Sequence, residues 1–317
     1  MPQDQHYIPA FYLRRWVDKE DGKLCVYSRP YDCVKAYRKP PEATGYEKDL
    51  YAIHGAGDET ANHLEGRFLL RADTQAAEAL DLLESGPGAV LDDRQRSAWS
   101  RFIMRLLHGN PEAVDNWSSK ATEVAAEAQD RFRANYASLR RTTDPEAYED
   151  YPHKAPEHYV AQTTVLALQT MMDNKHVGAY LNRMAWVVAP LQTSYWLLTS
   201  DRPLVMTNGI SGPGKYLAMP MGPRLLFIAA DDLTEAQQLA RQDHNELIEL
   251  MNDRVVRQAR RFVWGLDDSR LQFVEHGWET CFRALHWRLD RSSPPLRLAL
   301  DYALLARGGR AKTRAPA

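Results

Sequence analysis

The chain has 317 residues, 44% of them hydrophobic and 26% charged, the balance of an ordinary globular protein large enough to bury a sizeable core as one large or two modest domains. Forty basic against 42 acidic residues leave a net charge of −2, which excludes a global field drawing nucleic acid or an anionic membrane to the surface. No apolar run approaches the roughly 20 residues of a membrane span.

Residues 1–6 offer neither a basic nor an apolar leader region, so a cytoplasmic protein is expected. Cys25, Cys33 and Cys281 are too scattered for a disulfide framework or a zinc ribbon, and read as reduced thiols.

In chain order, residues 6–16 read as a short helix entered through Pro9, with Phe11, Tyr12, Leu13 and Trp16 as its apolar side. Asp21-Gly22 is a hairpin signal, followed by a strand over 24–29, a partner strand over 32–38, and a further short strand at 50–53. Helical periodicity runs over 59–85 and stops at Gly86-Pro87-Gly88. Asp92-Asp93 caps the next helix, which carries Trp99, Phe102, Ile103, Leu106 and Leu107. A thinner stripe suggests one helix over 111–141, a proline-broken loop over 144–156, and a helix over 157–174.

Beyond Gly178 the texture changes to short β-rich runs at 183–190, 195–199, 204–207, 216–219 and 224–229. Short connections between them predict an antiparallel sheet rather than βαβ units. One helix over 231–261 and a strand at 262–264 follow. The fold class is α+β: a helix-rich N-terminal and middle region, concentrated in 59–174, packed with an antiparallel sheet of short strands.

Several of these stretches together are familiar. His6-Tyr7-Ile8-Pro9, then Tyr12-Leu13 and Trp16, then Tyr27-Ser28-Arg29, then Thr199-Ser200-Asp201-Arg202-Pro203, resembles the bacterial domain-of-unknown-function family numbered 4238. Residues 45–51, Ser97-Ala98-Trp99 with Phe102, and Asn252 through Gln258-Ala259 to Phe262-Val263 extend the match. The resemblance covers about residues 5–275, as a single α+β domain. It leaves a C-terminal extension over 276–305 and a basic tail over 306–317 that reads as disordered. At His108-Gly109 the family pattern implies an arginine that this chain lacks. The resemblance supplies candidate positions and no reaction.

The chemistry rests on side chains. His6 titrates near neutral pH, and Asp201 is suited to be a general base, a metal ligand or the group that orients His6. Glu47 stands among Tyr46, Leu50 and Tyr51 and needs a basic partner, for which Arg14 and Arg29 are the nearest in sequence. Tyr27 and Arg29, on one face of a strand, would with Arg14, Ser200 and Arg202 grip an anion through paired guanidinium hydrogen bonds. A structural reading competes at every position. Ser200-Asp201-Arg202-Pro203 suits a turn, Tyr27 a core cap, and Arg29 an ion pair with Asp32 or Glu47.

His54, Asp58, Glu59, His63 and Glu65 have metal-ligand side chains without the His-Glu-x-x-His spacing, and a solvated helix start explains them better. Gly209, Gly212 and Gly214 make a hairpin loop rather than a phosphate loop. Arg254, Arg257, Arg260 and Arg261 suit a helix C-terminus.

Three functions remain, with no cofactor assigned. The first is hydrolysis of an anionic, phosphate-containing substrate with His6, Asp201 and Glu47 in acid/base roles. The second is a non-catalytic recognition or regulatory module, and the weakest is a nucleic-acid binder using the basic helix end and the tail.

Overall fold

A computed structural model of the protein describes residues 4–31, 33–51, 69–86, 90–151, 156–207 and 215–284. The first strand, β1 (Asp4–His6), pairs antiparallel with β4 (Tyr46–Lys48), aligning Gln5 with Glu47 and His6 with Tyr46. Gly45 makes this pairing possible. Its φ of +72° is open to glycine without strain, its carbonyl accepts the amides of Tyr7 (3.0 Å) and Ile8 (3.1 Å), and a Cβ there would meet the Ile8 carbonyl at 3.0 Å. Pro9 in extended conformation then starts α1 (Ala10–Leu13), which tightens into a 3₁₀ turn over Arg14–Trp16. The expected helix is present but shorter, because residues 4–6 form a strand.

Two four-stranded antiparallel sheets carry the β content. One has the order β3 (Lys35–Lys39), β2 (Leu24–Ser28), β10 (Phe262–Gly265), β6 (Thr199–Ser200). The other has the order β5 (Ala185–Pro190), β9 (Leu225–Ala230), β8 (Tyr216–Gly222), β7 (Val205–Met206). The run Leu225–Ala230 lacks alternation because both faces are covered. Phe227 and Ala229 pack into one core cluster, Leu226, Ile228 and Ala230 into another. The expected strand at 195–199 shrinks to β6, and residues 50 and 51 lie in a turn rather than a strand.

The helices are α2 (Leu70–Glu84), α3 (Asp93–His108), α4 (Pro111–Ala134), α5 (Tyr136–Leu139), α6 (Pro156–Met172), α7 (Lys175–Arg183), α8 (Leu233–Ala240), α9 (His244–Gln258) and α10 (Leu271–Ala284). Asp92 caps α3 in a reciprocal capping box with Gln95, as the sequence predicts for that start. The helix expected over 111–141 breaks at Asn135, and the one over 231–261 splits at Arg241–Asp243, where Asp243 caps a new helix. Helix α10 runs through residue 276, and α3 buries Trp99, Phe102 and Ile103 against Tyr12, Trp16 and Phe227 in the main core. No helix among the described residues is long and apolar enough to cross a membrane.

The central segment before β6 is pinned by side chains from both ends of the chain. The Trp16 indole donates to Leu197 O at 2.8 Å, and the Tyr12 hydroxyl bonds Thr199 Oγ1 (2.7 Å) and donates to Pro220 O (2.6 Å). On the other side fully buried Asn252 accepts the Leu198 amide at 2.7 Å and donates to Trp196 O at 2.9 Å. Asn252→Ala strands a buried amide and a carbonyl, at about 1–3 kcal/mol for each unsatisfied group. A urea titration of this variant is expected to show a loss of about 2–4 kcal/mol with an unchanged m-value.

Candidate functional site

Asp201 leaves the end of β6 just where α9 gives way to β10. Its carboxylate accepts three successive backbone amides: Arg260 on one oxygen (2.8 Å), and Arg261 (2.6 Å) and Phe262 (3.2 Å) on the other. Its own amide donates to Phe262 O at 3.1 Å. Burial pushes the Asp201 carboxyl up, while the Arg260 amide, the Arg202 guanidinium and the two other amides pull it down. Ser200 Oγ accepts the Arg202 amide (3.1 Å) in a hydroxyl-stabilised turn, and Gln258 Nε2 holds the carbonyls of Leu204 (3.0 Å) and Arg202. The polar tetrad is thus a turn held from inside, and only its arginine side chain reaches outward.

Arg202 leaves the turn with Nη1 donating to Asp201 O at 3.0 Å and Nη2 paired with Glu112, in the first turn of α4. Arg261, beyond the end of α9 rather than in its last turn, pairs through Nη1 with Glu47 on β4 at 2.9 Å. Neither Arg14 nor Arg29 is the partner of Glu47. Arg14 binds Glu42 at 2.7 Å, and Arg29 follows β2, half-buried.

Beside β4, its amide on the Gly45 carbonyl at 3.0 Å, stands a tyrosine to which the sequence assigns no chemistry. Tyr7 is 1% exposed and its hydroxyl has no hydrogen-bond partner among the described residues. The charges that act on it are Asp201, Arg261, Glu112 and Glu47, and burial, with Asp201 next, pushes the phenol far above its usual range. The hydroxyl therefore stays protonated, a donor without an acceptor.

His6, the neighbour of Tyr7, looks the other way. Its ring meets Tyr46 edge-on (centroids 5.5 Å apart), its carbonyl accepts from Arg105 at 2.9 Å, and its buried Nε2 has no partner among the described residues. Arg105, 3% exposed, forms an ion pair with Asp73 and stands one turn before His108 on the same helix face. No hydrogen bond joins His6 to Asp201 among the described residues. Tyr27 is committed elsewhere, its hydroxyl donating to Asp267 O at 2.5 Å.

The two end motifs do meet, through the Tyr12–Thr199 hydrogen bond, while Tyr7 feels the Asp201 charge. Tyr7, Glu112 and Arg261 had sequence signals of a kind: Tyr7 lies inside the first motif, Arg261 in the basic run, and Glu112 beside the departure at 108–109. The His54–Glu65 cluster, the loop glycines and the tail fall outside the described residues. Among the described residues, no group of three or more His, Cys, Asp or Glu side chains is placed to hold a metal ion.

The sequence pattern of the family described as "Protein of unknown function (DUF4238)" matches residues 4–269. No curated protein matches the chain, and no solved structure matches it.

Burial holds His6 below its usual 6.5, with the Arg105 cation acting in the same direction. The Glu42 backbone and the Asp4 and Glu42 carboxylates oppose it. The unfolded chain thus binds this proton more readily than the folded one. Stability is then full above pH 6.5 and falls as pH drops through that value toward the lower folded one. His108, lowered by burial, adds an effect of the same sign. Urea midpoints are expected to fall between about pH 7.5 and 5, with a shallower fall in His6→Gln and a shallower one again when His108→Gln is added.

Proposed function

The chain belongs to the DUF4238 family, and from its own geometry we propose that the rim around Tyr7 binds an anionic, phosphate-containing ligand, which the protein hydrolyses. The observation that carries this reading is the Tyr7 hydroxyl: buried, protonated, without an acceptor among the described residues, and within the field of both glutamates that pair with Arg202 and Arg261. A buried polar group left unmatched costs about 1–3 kcal/mol, and a ligand oxygen at that point removes the cost.

The roles follow from what each side chain has left to offer. Arg202 and Arg261 supply guanidinium donors to the anion, and Tyr7 donates to a ligand oxygen. Glu47, released when Arg261 turns to the ligand, is a carboxylate able to take a proton from an attacking water. Asp201 is a positioning residue, since both its oxygens are taken by amides. In place of the acid role suggested in sequence for His6, Tyr7 offers a hydrogen bond that keeps its proton, and the anion grip assigned to Arg14, Tyr27 and Arg29 passes to Arg261 with Arg202. Ser200 acts through its turn.

One observation favours a second reading. Asp201, Ser200, Thr199, Asn252 and Gln258 spend their polar atoms on the chain itself, as in a recognition or regulatory module whose motifs only fasten its parts. Tyr7→Phe separates the two. The variant is expected to keep its urea midpoint or gain up to about 1 kcal/mol, since it removes an unmatched hydroxyl. Its rate of phosphate release from a panel of phosphomonoesters, phosphodiesters and nucleoside phosphates is expected to drop at least tenfold. Equal rates in the variant and the parent would remove Tyr7 from the site, and no phosphate release by the parent on any panel member would leave the module reading.

A further inference from the structure

The two glutamates of the rim occupy the places that a ligand's anions would take. Arg202 and Arg261 each meet their carboxylate through one terminal nitrogen, although a guanidinium can offer a carboxylate or phosphate two parallel donors. Both pairs are partly open to solvent: the side chains of Arg261 and Glu112 are each 47% exposed, that of Glu47 34% and that of Arg202 21%. Pairs of this kind are weak and salt-screened, so exchanging one for a ligand anion costs at most about fivefold in affinity. Both pairs spring from one junction: Arg202 donates to the Asp201 carbonyl at 3.0 Å, the Arg261 amide donates to the Asp201 carboxylate at 2.6 Å, and Tyr7 is tied beside Glu47 through the Gly45 carbonyl. Glu47 and Glu112 both act on Tyr7, and both act on Arg261. The Tyr7 hydroxyl, 1% exposed, is a donor with nothing to bind among the described residues.

Resting on the reading of the Tyr7 rim as a ligand site, we propose that its ligand carries two anionic groups bridged by an acceptor oxygen, the chemistry of a diphosphate. One group binds Arg202 and the other Arg261, each displacing its glutamate, and the bridging region faces the Tyr7 hydroxyl. Glu47 and Glu112 act as internal stand-ins that keep the arginines ordered in the empty protein. A single phosphate frees only one arginine and leaves the second pair intact, so it gains half of the exchange.

Isothermal titration of the full chain with inorganic pyrophosphate and with orthophosphate tests this. Pyrophosphate is expected to bind at least tenfold more tightly than orthophosphate. Glu47→Gln and Glu112→Gln, which keep the shape and remove the competing charge, are each expected to tighten pyrophosphate binding about two- to fivefold. Unchanged urea midpoints would show that the variants fold. Tyr7→Phe is expected to weaken pyrophosphate more than orthophosphate.

Equal affinities for the two anions, both lowered by Tyr7→Phe, would overturn the diphosphate assignment and leave the site standing. Glutamine variants that bind pyrophosphate more weakly would overturn the role of the glutamates as stand-ins. Binding of neither anion by any variant would sink the assignment and the site together.

Discussion

The carboxylate of Asp201 decides how the parts of this protein sit. Three consecutive amides, at the point where helix α9 ends and strand β10 begins, have no partner of their own, and one side chain from the end of β6 takes all of them. Unmatched buried amides are costly, and charge-assisted bonds are about twice as strong as neutral ones, so this junction holds firmly. Held there, β10 completes its sheet between β2 and β6, and the turn that follows Asp201 points Arg202 at α4 while the α9–β10 junction points Arg261 at β4. The rim around Tyr7 exists because that junction is locked.

This divides the motifs into two layers of physical work. Side chains pointing inward, such as Tyr12, Trp16, Asn252 and Gln258, spend their hydrogen bonds on backbone groups of the central segment. Those pointing outward, Arg202, Arg261, Glu47 and Glu112, keep a share of solvent exposure. Tyr7 belongs to neither layer, since it is as buried as the first but its hydroxyl has no partner among the described residues.

Much of the fold is legible in the residues, because the signals involved are local. The capping carboxylate at Asp92, the stripe from Trp99 to Leu106, and the run Leu225–Ala230 each report their element directly. Misjudged elements have non-local causes. Residues 4–6 are a strand only because Gly45, about 40 residues on, offers its carbonyl to the chain that follows. The long helix proposed for 231–261 has no periodicity defect that outweighs the cap supplied by Asp243. At the site, residue type misleads: His6 draws notice because imidazole titrates near neutrality, whereas the phenol next to it becomes unusual only through burial and the charges around it, which no spacing records. Glu47 was visible as needing a cation, but its partner Arg261 lies 214 positions away.

Distance along the chain has a further consequence. The contacts that fasten the first 50 residues to the rest span 181 positions for Trp16 to Leu197, 187 for Tyr12 to Thr199 and 220 for Trp264 to Thr44. Helices α2 to α7 lie between those ends, so the β framework is discontinuous and closes around a helical insert. Closing such loops is paid in chain entropy before the contacts reward it. During synthesis the segment around Tyr7 leaves the ribosome well before Leu197, Thr199 and Pro220, although its strand partner β4 follows it closely. Tyr12 and Trp16 gain the cover of α3 once that helix is made, but their hydrogen-bond partners only when residues 197–220 follow, and the helical insert is the part positioned to fold in the meantime.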